Sequence, residues 1–137
     1  DKPAPRPFAV SVHRSDLQYV PGDDLHAVLQ SCGLEFGEHD IYHRFSPQGD
    51  AVFSVASIVK PGFLRPEEAD ELTTPGVSLF LQLPGPVAGA QAFDDLMTTA
   101  QTLAERFDAT LLDRSRNPLT VETIEQMQKD AAAYPSQ

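Results

Sequence analysis

Phe8, Val10 and Val12 alternate with smaller or polar residues, the period-2 signature of a half-buried strand. Pro21-Gly22-Asp23-Asp24 then supplies a break and a helix cap. Leu25, Val28, Leu29 and Cys32 follow at i, i+3, i+4 and i+7, which predicts a helix over residues 23–32. Gly33 stands where a C-terminal glycine belongs. Residues 34–44 hold Phe36, Ile41 and Tyr42 around Gly37 and read as one strand with a bend. The turn at residues 46–50 leads into residues 51–60, rich in Val, Ile and Phe, as the second arm of a hairpin. Pro66 followed by acidic residues suits the first turn of a short helix over residues 66–70. Thr74-Pro75-Gly76 reads as a break, and residues 77–83 as a third apolar strand.

Phe93, Leu96, Met97, Ala100, Leu103, Ala104 and Phe107 recur at helical spacing and predict an amphipathic helix of about four turns. Residues 109–112 read as a short strand, and Pro118-Leu119 as a brief edge segment. Thr120 can cap a last helix carrying Val121, Ile124, Met127 and Ala131. Strands and helices mix without strict βαβ alternation, so the class is α+β and the architecture a two-layer sandwich.

The strand faces carry the functional signal. Phe53, Val55, Ser57 and Val59 share one side; Val52, Ser54, Ala56, Ile58 and Lys60 share the other. Val77, Leu79, Leu81 and Leu83 oppose Ser78, Phe80 and Gln82, and Phe8, Val10 and Val12 oppose Pro7, Ala9, Ser11 and His13. The more continuous apolar set faces the helices. The other set is small residues around Ile58 and Phe80, where an open face ordinarily carries Lys, Glu or Thr. This alternation admits three readings: a shallow peptide-binding trough edged by Lys60 and Gln82, a face packed on a terminal arm, or an ordinary surface on which one exposed Phe carries no meaning.

Composition narrows the classes. The 137 residues carry 20 Asp+Glu against 10 Lys+Arg, a formal net charge of −10, and 41% of them are hydrophobic. That is one domain with a real core. Its charge argues against nucleic acid and against direct contact with anionic lipid. Three prolines in residues 1–7 suit the end of an extended linker, leaving residues 8–137 as the domain, cut from something longer. A single cysteine excludes an intramolecular disulfide and any multi-cysteine zinc site.

Catalytic readings find little support. His13, His26, His39 and His43 form no metal-binding spacing. On one strand, His39 and His43 would sit about 13 Å apart, too far for one ion. Cys32 falls on an apolar helix face, where an inert thiol is the ordinary case. The acidic clusters at residues 67–71 and 94–95 fall on solvated helix positions. No nucleophile-elbow or phosphate-loop motif occurs. We therefore read no enzyme, cofactor or metal from the residues.

Three segments in order carry a family resemblance: Ile41-Tyr42-His43-Arg44; residues 53–62 with Ala56-Ser57-Ile58-Val59-Lys60; and residues 73–82 with Thr74-Pro75-Gly76-Val77. With the Ala100-Gln101 helix and the segment from Leu111 to Thr120, the chain resembles the C-terminal domain of the bacterial ZipA cell-division family from about residue 8 to residue 130. The resemblance implies an antiparallel six-stranded sheet with three helices on one face, similar to a split β-α-β fold. It implies a partner, the C-terminal tail of the division GTPase FtsZ, bound in a shallow apolar groove on the helix-free face. It further implies a full-length protein with an N-terminal membrane anchor, tethering FtsZ filaments at the inner side of the cytoplasmic membrane during septum formation.

Matched by position, the family's groove falls on Ala56, Ile58, Lys60, Ser78, Phe80 and Gln82, with His39, Arg116, Ala9 and Pro7 around them. Ile41 shares the side of His39 and lines the floor. His39 and Ile58 stand where the resembled domain has methionine, which makes the groove more polar at one point and less pliable at the other. The alternative is a self-associating or other peptide-binding adaptor that uses the same sheet face.

Overall fold

The structure is a computed structural model describing residues 2–14, 16 and 18–137; Asp1, part of the expected linker segment, lies outside them. The strands are β1 (Arg6–His13), β2 (Val20–Pro21), β3 (Glu35–Phe36), β4 (Tyr42–Phe45), β5 (Ala51–Ser57), β6 (Thr73–Thr74), β7 (Gly76–Leu83) and β8 (Thr110–Leu112). The helices are α1 (Gly22–Ser31), α2 (Gly89–Phe107) and α3 (Val121–Ala132). Two short 3-10 segments, Glu38–Asp40 and Pro66–Glu71, complete the order.

Six strands form one sheet in the order β3-β4-β5-β7-β1-β8, and every neighbouring pair is antiparallel. This is the α+β sandwich that the patterning implies. The register links Tyr42, Val55, Leu79 and Val10 in one row across four strands, all buried. Phe93, Leu96, Met97, Ala100, Leu103 and Phe107 of α2 cover that face and share its core. Phe8 packs at 5.9 Å from Phe93 and 6.3 Å from Tyr134, ring centre to ring centre. Each such fully buried side chain contributes about 1.5–3 kcal/mol.

Local chemistry sets the element ends. Gly33 takes φ 81° just past α1, a left-handed position that costs glycine little. Thr120 caps α3 by accepting from the Thr123 amide at 3.1 Å. Arg44 and Asp95 tie β4 to α2 through a 2.9 Å ion pair, so Asp95 is not merely solvated as its position suggests.

Several expectations need correction. Residues 34–44 are not one strand: β3 and β4 pair with each other, and the chain turns back through Glu38–Asp40. His39 and Asp40 there adopt φ 64° and 58°. The turn is held from afar, by Arg65 donating to the Asp40 carboxylate at 2.8 Å and by the Leu64 amide donating to the Asp40 carbonyl at 2.8 Å. Residues 51–60 stop being strand at Ser57, whose hydroxyl accepts from the Val59 amide at 3.1 Å and bends the chain; Val59 is then exposed rather than core-facing. Thr74 does not simply break the chain but pairs with Val20 in the β2–β6 ribbon. Residues 66–71 are 3-10 rather than α-helical, and Val121 points to solvent at the start of α3.

Behind β4, buried His26 places Nδ1 2.7 Å from the Tyr42 hydroxyl, while its Nε2 is buried with no hydrogen-bond partner. Burial holds the His26 pKa below its ordinary 6.5, only partly opposed by the charges of Asp23 and Glu67. The unfolded chain takes up this proton near 6.5 and the folded chain resists it, so protonation favours unfolding. The urea midpoint is therefore expected to fall as pH drops through 6.5, and His26→Gln to flatten that dependence; an equally steep variant would remove His26 as the cause.

At the other end of the sheet, a Cβ on Gly76 would overlap the Val12 carbonyl oxygen of β1. Gly76→Ala is expected to cost about 2–3 kcal/mol in urea denaturation, since backbone rather than a flexible side chain must give way.

Candidate functional site: the helix-free face of the sheet

The antiparallel register that buries one face arranges the other. In one row, His43 lies opposite Ser54, Ser54 opposite Phe80, and Phe80 opposite Ala9. In the next, Ala56 lies opposite Ser78, Ser78 opposite Ser11, and Ser11 opposite Leu112. Gln82 and Pro7 pair beyond them. Cβ atoms of such pairs stand about 4.5–5.5 Å apart, so every direct neighbour of Phe80 across the sheet is small. Phe80 rises from this low floor and is 38% exposed.

An open depression of about 520 Å³ surrounds Phe80, bounded by Pro7, Ala9, Val52, Ser54, Gln82 and Arg114. A second, of about 320 Å³, lies past the end of β5, where Lys60 and exposed Val59 and Phe63 meet Arg65, Glu68 and Glu71. Arg65 stacks over Phe63 at 4.1 Å and bonds Asp40, so this depression is built around an arginine already engaged.

The structure brings six of the candidate residues onto one continuous surface: Pro7, Ala9, Ala56, Ser78, Phe80 and Gln82. Ile58 lies just past β5, half-buried, with its amide donating to the Gly76 carbonyl at 3.2 Å. Ile41 is buried in extended backbone directly before β4, on the side of His43. The other three come from connecting segments. Lys60 is exposed beyond the strand, His39 sits in the left-handed turn rather than on a strand, and Arg116 is exposed in the turn after β8 at φ 66°.

Reasoning from the residues missed His43 and Arg114 as members of this face. His43 is buried, 2.7 Å from the Ser54 hydroxyl through Nδ1 and 2.8 Å from the Glu38 carbonyl through Nε2. It anchors the turn that carries His39. Its alternation with Tyr42 was the available signal. Arg114 sits in a turn, where no periodicity gives a direction.

Among the described residues no three His, Cys, Asp or Glu side chains group as metal ligands. Cys32 is half-buried at the end of α1. No helix of the described residues is long and apolar enough to cross a membrane.

A sheet covered by helices on one side and open on the other, with an exposed aromatic among small residues, defines the class: an α+β sandwich with one open sheet face. Comparison with known proteins makes this specific. The family of the ZipA C-terminal FtsZ-binding domain matches residues 7–130, and the chain belongs to that family. It is 43% identical over 126 residues to the cell division protein ZipA of Stutzerimonas stutzeri, covering 90% of this chain and 46% of that protein. It is 41% identical over 115 residues to that of Marinobacter nauticus, covering 82% and 34%. It is 34% identical over 123 residues to that of Xanthomonas axonopodis pv. citri, covering 88% and 51%. The chain thus spans about half or less of the length of these relatives.

Proposed function

We propose that this domain binds the C-terminal tail of FtsZ on the helix-free sheet face, non-covalently and without catalysis. The family supplies FtsZ as the partner. The observation that supports the location is Phe80, an exposed ring on a floor of Ala9, Ser54, Ala56 and Ser78. A short tail segment lays apolar side chains against Phe80, Ile58 and Ala56, and the small neighbours keep the trough open. Ile41 closes the floor on one side. Lys60, His39 and Arg116 stand at the rim, where Lys60 and Arg116 attract acidic tail residues. Charges so exposed steer encounter more than they add affinity.

A face this shallow desolvates few side chains fully, which sets a modest affinity, on the order of micromolar. Filaments present many tails together, so avidity raises the effective strength. In the full-length protein, the domain links FtsZ filaments of the Z ring to an N-terminal anchor in the inner membrane at the division septum.

The test is fluorescence anisotropy of a labelled FtsZ tail peptide titrated with the domain. Saturable binding is expected, and Phe80→Ala is expected to weaken it by more than ~1 kcal/mol with little change in melting temperature. No binding up to about millimolar domain would overturn the proposal, and concentration-dependent mass in sedimentation would then point to self-association through the same face.

A further inference from the structure

The positive charge of this acidic molecule is unevenly committed. Of its ten Lys and Arg residues, five arginines form ion pairs among the described residues: Arg6 with Asp130, Arg14 with Asp16, Arg44 with Asp95, Arg65 with Asp40 and Arg106 with Asp24. Arg114 forms none among the described residues, and it lines the Phe80 depression. Among the described residues it is the one charged residue there; the rest of the lining is apolar, Ser54 or Gln82. The second depression differs, because Lys60 and Arg65 face Glu68 and Glu71 within it. In a chain of net charge −10, the one charge lining the Phe80 depression among the described residues is thus positive.

The turn that carries Arg114 is well tied. The Asp113 amide donates to the Asn117 carbonyl at 2.8 Å, and the Arg116 amide to the Asp113 carbonyl at 3.0 Å. The Asp113 carboxylate accepts from the amides of Ser115 at 2.8 Å and Asn117 at 2.9 Å. The nearest acid in sequence is thus engaged with backbone and leaves the Arg114 guanidinium unpaired. A guanidinium beside an apolar depression, with no carboxylate lining it, suits an anionic group on whatever occupies that depression.

We infer that Arg114 is a specificity-determining cation of the sheet-face groove, and that the bound tail sets a carboxylate against it beside Phe80. This rests on the groove being the tail site and adds a contact at the Pro7–Gln82 end, the opposite end of β5 from Lys60. An occupant with an apolar core and an acidic residue at this end is favoured over a neutral or basic one.

The test titrates labelled FtsZ tail peptide with wild-type domain, Arg114→Glu, Arg114→Lys and Lys129→Glu. Lys129 lies on α3 and controls for net charge. Arg114→Glu is expected to raise Kd about three- to tenfold at low salt, with the deficit shrinking as salt rises. Arg114→Lys is expected to stay close to wild type, and Lys129→Glu within about twofold. Repeating the titration with peptides in which single carboxylates are changed to amides should find one peptide for which Arg114→Glu no longer matters. Wild-type binding with Arg114→Glu indistinguishable from Lys129→Glu overturns the inference and leaves the groove standing. No wild-type binding, or binding unchanged in Phe80→Ala, overturns the groove reading itself.

Discussion

The eight-residue pairing of β1 with β7 runs through the middle of the sheet, and both faces depend on its register. It sets Val10 against Leu79 on the covered side and Ala9 against Phe80 on the open side. A slip of one residue would turn Phe80 into the core and Leu79 to water, because side chains alternate strictly along a strand. The pairing is close-fitting at Gly76, where the Val12 carbonyl leaves no room for a side chain. Core and open face are thus two readings of one hydrogen-bonded ladder. The dry face under α2 is what makes the register costly to lose, and it fixes the exposed face without further contacts.

The outer strands lack that depth and are fastened by polar contacts instead. β3 has two residues, and β4 has four. Arg44 ties β4 to α2 through Asp95, and the Tyr42 hydroxyl meets His26 of α1. His43, on the opposite side of the same strand, meets Ser54 and the Glu38 carbonyl. Tyr42, His43 and Arg44 therefore point alternately to the helix layer and to the open face, each with a polar partner. That arrangement holds the turn carrying His39 and Asp40 in left-handed backbone, which is otherwise unfavourable for residues other than glycine.

Strand faces were legible in the sequence because a period of two needs no knowledge of neighbours. Phe80 could be assigned to the open side from Val77, Leu79 and Leu81 alone. Helix α2 was legible for the same reason at its own period. Elements set by distant partners were not. The reversal at residues 37–41 depends on Arg65 and Leu64, more than twenty positions on, and β6 exists only because Val20 and Pro21 lie beside it. The end of β5 at Ser57 was hidden because Ile58 and Val59 continue the strand-like composition, while a hydroxyl-to-amide bond bends the backbone. Of the candidate groove residues, those in strands came together on one surface. Lys60, His39 and Arg116 lie in turns, whose geometry no alternation describes.

Charge completes the division of labour between the two layers. Acidic residues crowd the helices and the 3-10 segment at 66–71, and several of them pair with arginines of the strands, helices and loops. The open face carries few charges of its own, and Arg114 lines its depression around Phe80. A shallow apolar surface on its own discriminates poorly, since many apolar side chains can rest on Phe80. On the proposed reading, Arg114 beside Phe80 gives an acidic partner a favourable place to settle on a molecule of net charge −10. Specificity of this kind comes from the contrast between surfaces as much as from contacts within the site.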